Sequence, residues 1–209
     1  MRQRAESSIR YALYFNGLER THTGVPERVL TWYYRLWGIV LAYFSVDWHS
    51  GRSFQELLDE ATNRAEGMLL RHGQLVLIGA SAGGSLAMGV FAQLRRKYPE
   101  ADVRAVSLSG RLHVGNLDDL VATALHRPGK KPSVAFIDSV RHCNEEVLPL
   151  LTAADKQRAI TFRPLFFDEA VPLCTMGISG VAMFIAPIVY HVPGIVLGAL
   201  RIPWVLPKT

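Results

Sequence analysis

The stretch QLVLIGASAGG, residues 74–84, constrains the fold more than any other part of this chain. Its apolar run is that of a strand buried on both faces. After the small residues, apolar positions resume at helical spacing as far as Tyr98, and Pro99 stops the pattern. A strand that turns straight into a helix holds the serine between them in a strained conformation, with its hydroxyl raised above the sheet. Residues two positions to either side then come too close to tolerate side chains, which accounts for Gly79 and Gly83 around Ser81. The competing reading is a Gly-rich turn that binds a phosphate or packs closely. The lysine of G-x-x-x-x-G-K-[ST] is missing, and so is the G-x-G-x-x-G fingerprint.

The rest of the chain repeats this alternation. Strands are expected at IRYALYFNG (9–17), IVLAYFSVDW (39–48), QLVLIGA (74–80), VRAVSLSG (103–110), AITFRPLFF (159–167) and VAMFIAPIVY (181–190). Helical patterns separate most of them. PERVLTWYYRLWG places Pro26 in a first turn. Ser53 is placed to cap FQELLDEATNRAEGMLL, and His72-Gly73 to close it. Residues 117–151 are helical in pattern, broken by RPGKKP at 127–132, and a last helix is expected past His191.

Such alternation predicts an α/β fold: a mostly parallel sheet of about six strands with helices on both faces. The 209 residues suit one domain, 1–209, with 111–157 either a cap over the site or the outer helices of the sheet. In sheets of this kind ligands bind beyond the carboxyl ends of the strands. Ser81 falls there.

Charge and cysteine content narrow the classes. The formal net charge is +5, but the cations are scattered, and the tightest cluster, Arg95-Arg96-Lys97, closes an expected helix. With no zinc-finger, basic-zipper or aromatic RNA-binding signature, nucleic acid is not an expected partner. Cys143 and Cys174 form no metal or redox motif and lie in apolar surroundings, as buried reduced thiols of a cytoplasmic protein would. The run from Gly180 to Leu200 has the length of a membrane span, but two prolines and His191 interrupt it. A strand, a turn and a helix are expected there; membrane association is the disfavoured alternative.

A serine hydroxyl is a poor nucleophile unless a base takes its proton, and the base needs an orienting carboxylate. Asp168 follows the expected fifth strand and His191 the sixth. Nearly the whole chain resembles a small α/β-hydrolase. The residues that carry the resemblance are GASAGG, the D-E-x-V-P stretch at Asp168–Pro172, and the histidine with a small-residue helix start at His191–Gly194. The resemblance implies Ser81 as nucleophile, His191 as general base and acid, and Asp168 as its orienter. Glu169 and Asp138 are the rival carboxylates, although Asp138 falls in a helical pattern. His113 is the second candidate base, and His22 and His49 also follow strands.

In this family one oxyanion donor is the N–H directly after the nucleophile, here Ala82. The second comes from the loop after the first strand, where Asn16-Gly17 replaces the usual His-Gly, so Leu18 or Gly17 is expected to donate. Asn16 itself is equally a turn former or a site residue. The implied activity is hydrolysis of a small-molecule acyl ester, lipid or thioester included, with no cofactor and no metal. Acyl transfer by the same residues, or a catalytically inactive binding protein, are the alternatives.

Overall fold

The computed structural model of the chain describes residues 9–17, 25–80, 82–108 and 133–162. Five strands form one sheet in the order β2-β1-β3-β4-β5, and every neighbouring pair is parallel. They are β1 (Arg10–Phe15), β2 (Ile39–Phe44), β3 (Gln74–Ala80), β4 (Asp102–Leu108) and β5 (Ala159–Phe162). The expected sixth strand at 181–190, the helix past His191, and the remainder of the fifth strand lie outside the described residues.

The connections explain the layering. From β1 the chain passes through α1 (Val25–Leu36) to β2 on one side; it then returns through α2 (Phe54–His72) to β3 and through α3 (Ala82–Lys97) to β4. Right-handed crossovers in opposite directions must use opposite faces. Accordingly Ala12, Ile39, Leu41, Val76, Ile78 and Val106 pack with Tyr34 and Leu30 of α1. Their strand neighbours Leu13, Phe15, Leu75, Leu77, Val103 and Ala105 pack with α2 and α3.

Local chemistry sets the boundaries. At the start of α2 the Ser53 hydroxyl accepts from the Glu56 N–H, and the Glu56 carboxylate accepts from the Ser53 N–H at 2.8 Å. This reciprocal pair satisfies two of the helix's orphan donors. Gly73 ends α2 at φ 73°, a left-handed conformation open to glycine, and donates its N–H to the Leu69 carbonyl. At the amino edge of the sheet, Arg10 bonds Gln74 and Asp102, and Arg104 reaches Asp102 at 3.1 Å.

Two expected boundaries change. The first helix ends at Leu36 rather than running to Gly38, which lies at φ 71° in the turn into β2. The second strand stops at Phe44 rather than Trp48, because the side chain of Asn16, just past the end of β1, takes the N–H and carbonyl of Val46. Asp47, next to it, opens a turn: its carboxylate accepts from the His49 N–H at 3.0 Å.

Of the long segment 111–157, residues 111–132 lie outside the described residues. α4 (Val134–His142) continues into a π turn (Cys143–Val147) and a 3-10 turn (Leu148–Leu150). These pack on α2 and α3, and α5 (Ala153–Arg158) leads into β5. The Ser85 and Ser139 hydroxyls meet at 2.7 Å where α3 touches α4; one donates to the other, whose own proton goes to a carbonyl of its own helix. Arg95 ties the end of α3 to Asp155 at 2.9 Å.

Cys143 is a buried free thiol, as expected, and Cys174 lies outside the described residues. Burial pushes the Cys143 thiol up to about 12. Its reactive thiolate is therefore scarce at neutral pH, and reaction with a disulfide reagent should proceed only as fast as the protein opens. Fast labelling under native conditions would show that Cys143 is reachable. The raised value also makes stability fall as pH rises between the thiol's ordinary 9.0 and about 12, where only the unfolded chain has lost the proton.

Candidate functional site

The centre of the sheet's carboxyl edge is where the chain's direction of winding reverses. β3 lies between β1 and β4, and the crossovers that leave β1 and β3 run to opposite sides. A crevice opens between the loops at such a point. Ser81 is the one residue separating Ala80, the last of β3, from Ala82, the first of α3. Ser81 itself lies outside the described residues, but its flanks are defined.

Those flanks leave no space for side chains. A methyl group on Gly79 would fall on the Gly83 carbonyl and within 2.6 Å of the Gly84 Cα. On Gly83 it would fall on the Phe15 carbonyl and 2.8 Å from the Asn16 carbonyl oxygen. The two glycines therefore do different jobs. Gly79 lets the chain fold back on its own helix, and Gly83 lets that helix press against the end of β1.

α3 is buried along nearly its whole circumference, from Ala82 to Phe91, between the sheet, α2 and α4. Its first turn carries no acidic side chain, and its last carries Arg95, Arg96 and Lys97. The amides of the first turn have no partners within the helix, and the helix dipole favours negative charge there. The Ala82 N–H belongs to that turn.

Asn16 is the residue whose role sequence reasoning left open. Its carboxamide treats Val46 as a neighbouring strand would. Oδ1 accepts from the Val46 N–H at 2.6 Å, and Nδ2 donates to the Val46 carbonyl at 3.2 Å and to the Gly17 carbonyl at 3.1 Å. Both residues are buried, Asn16 at 8% and Val46 at 1% exposure. Asn16 thus clips the loop after β2 to the end of β1 and fixes where the Gly17 loop begins, beside the first turn of α3. The only sequence signal for this was an amide at a strand end.

Asn16→Ala should lower stability by about 2–4 kcal/mol, because the Val46 N–H and carbonyl would stay buried without partners. Urea unfolding measures this. A loss under about 0.5 kcal/mol would mean that the clip contributes nothing. Asn16→Asp keeps the acceptor but sets a carboxylate against two carbonyl oxygens, so it should not rescue.

The other sequence candidates divide as follows. Leu18, Asp168, His191, Glu169, His113 and His22 lie outside the described residues. Asp138 is on α4, as its helical pattern predicted, and pairs with Arg141 at 3.2 Å in a half-exposed ion pair. His49 is exposed in the turn held by Asp47. Ser107, in register with Gly79, was not a candidate; its Oγ is buried without a hydrogen-bond partner. Among the described residues no three His, Cys, Asp or Glu side chains gather as a metal site.

No protein-family model and no curated protein matches the chain. Solved structures similar to it include one described with LipS and LipT, two metagenome-derived lipolytic enzymes: 17% identity over 74% of this chain and 71% of that chain, TM-score 0.48. The Bacillus licheniformis lipase BlEst2 is 14% identical over 74% of this chain and 64% of its own, with a TM-score of 0.49. A lipase/esterase from Lactobacillus plantarum is 15% identical over 88% and 74%, with a TM-score of 0.47.

Proposed function

We propose that the protein is a single-domain serine hydrolase that cleaves a carboxylic ester, lipid esters and thioesters included, through an acyl-enzyme on Ser81. One observation carries this reading: the strand-to-helix turn around Ser81 is so tight that both flanking glycines face backbone where a Cβ would sit. A loose Gly-rich loop would not need both.

In the proposed cycle His191 takes the Ser81 proton as Oγ attacks the ester carbonyl carbon. Asp168 holds the imidazole in the right tautomer and stabilises it once charged. The negative oxygen of the tetrahedral intermediate is met by the Ala82 N–H and by a second N–H from Leu18 or Gly17. The alcohol or thiol leaves with the proton from His191. A water, deprotonated by His191, then attacks the acyl carbon and releases the acid, returning the proton to Ser81. This chemistry needs no cofactor or metal. An alcohol or amine in place of that water would give acyl transfer.

The test is labelling with a fluorophosphonate probe, wild type beside Ser81→Ala, followed by peptide mass mapping. Stoichiometric modification of the peptide containing Ser81, absent in the variant, is the expected result. A folded wild-type protein that stays unlabelled would instead favour a binding role for the same crevice. Asp168→Asn should then depress turnover sharply, while Asp138→Asn, altering an ion pair on α4, should not.

A further inference from the structure

α1 buries one face and leaves another apolar face outside. Leu30 and Tyr34 point into the core beneath it. On the far side Val29, Trp32 and Leu36, at i, i+3 and i+7, are 58%, 63% and 64% exposed, and Trp37 just beyond is 48% exposed. Three- and seven-residue spacing puts the helical residues in one narrow stripe along the axis. Arg28 and Arg35, seven residues apart, run along one flank of that stripe and are also exposed. Single exposed apolar residues are ordinary, but an aligned stripe on a helix that already has a core face is not.

We infer that this face of α1 binds the surface of an anionic phospholipid bilayer, with the helix lying in the plane of the interface. Three features select that occupant. Tryptophan rings favour the boundary between headgroups and acyl chains, where an apolar body and a polar N–H are both accommodated. Arginines at the flank can extend their head groups to lipid phosphates while the stripe enters the acyl boundary. The chain's formal net charge of +5 adds attraction to an anionic surface.

A second copy of the chain fits less well. A stable protein contact buries about 800 Å² on each partner, more than four side chains of one helix end offer. A two-fold contact through the stripe would also bring the arginine flanks of two positively charged molecules together. No helix among the described residues is long and apolar enough to cross a membrane, so the contact inferred is with the surface. It does not depend on the chemistry at Ser81, and its test reads no turnover.

The experiment is co-sedimentation of the full chain with vesicles of phosphatidylcholine alone and of equal parts phosphatidylcholine and phosphatidylglycerol. Wild type should sediment with the mixed vesicles and much less with the neutral ones. Trp32→Ser/Leu36→Ser and Arg28→Gln/Arg35→Gln should each weaken binding about tenfold or more. All four positions are exposed, so circular dichroism should be unchanged. Brominated phosphatidylcholine in the mixed vesicles should quench wild-type fluorescence, and quenching should fall in Trp32→Phe, a replacement that leaves the apolar stripe in place. Absent wild-type binding, equal binding by the Trp32/Leu36 variant, or unchanged quenching in Trp32→Phe would overturn the inference. So would a lipid-free dimer that the Trp32/Leu36 variant converts to monomer, since the stripe would then be a self-contact.

Discussion

Gly83→Ala is expected to leave little folded protein. The added methyl group would clash with the Phe15 carbonyl and lie 2.8 Å from the Asn16 carbonyl oxygen. Backbone oxygens at the end of a paired strand cannot swing away as a side-chain tip can. Relief requires α3 to lift from β1 or β1 to leave its register with β3, where Phe15 pairs with Gly79. A backbone displacement of that kind costs about 4 kcal/mol or more, against a total stability of about 5–15 kcal/mol for a typical domain.

Gly73→Ala provides the control. Gly73 has a positive φ of 73° but nothing within 4 Å of the added carbon, so only conformational strain of about 1–2 kcal/mol opposes it. Thermal unfolding of both variants separates the mechanisms. For a chain of this size 1 kcal/mol shifts Tm by about 2–4 °C, so Gly73→Ala should lose a few degrees and Gly83→Ala more than about 10 °C, or its solubility. Equal losses would show that α3 does not press on β1 as described.

Ser81→Ala is expected to act in the opposite manner, leaving the fold and removing the activity. Alanine is smaller than serine and sits between Ala80 and Ala82, so the turn should keep its shape. Removing the nucleophile of a serine triad lowers kcat by about 10⁴- to 10⁶-fold, equivalent to about 5–8 kcal/mol of transition-state stabilisation. Ester turnover in the variant within tenfold of wild type, with circular dichroism unchanged, would remove Ser81 from the mechanism. Measured together, the two variants divide the turn into a glycine that holds it and a serine that uses it.

The period of the apolar residues made most of the described elements legible. QLVLIGA is β3 at both its ends, and α3 begins at Ala82 as its pattern implied. Ser53 and Gly73 bound α2 because capping depends on neighbours within one turn. Failures came where a distant partner decides. Nothing in IVLAYFSVDW says that Val46 will be paired by an amide thirty residues earlier, so its apolar run extends beyond the strand that forms, Ile39–Phe44. PERVLTWYYRLWG is apolar on more than one face, and its period could not reveal which tryptophans would remain outside.

For the site, G-x-S-x-G was legible because its spacing is set by local backbone crowding. The role of Asn16 was not. It depends on β1 and the loop after β2 lying side by side, a consequence of the sheet's strand order. Ser107 was invisible for a similar reason: only the strand order sets this buried serine in register with Gly79.

The composition of α3 has a consequence for how the protein folds. Gly83, Gly84 and Gly89 each disfavour helix by about 1 kcal/mol relative to alanine, so the segment is a poor helix on its own. It is surrounded by the sheet, α2 and α4, and its contact with β1 closes a loop of about seventy residues. The helix that follows the candidate nucleophile should therefore form late, after strands distant in sequence have found each other. Once formed, it has no easy route to partial melting, because the burial that sustains it is the core itself.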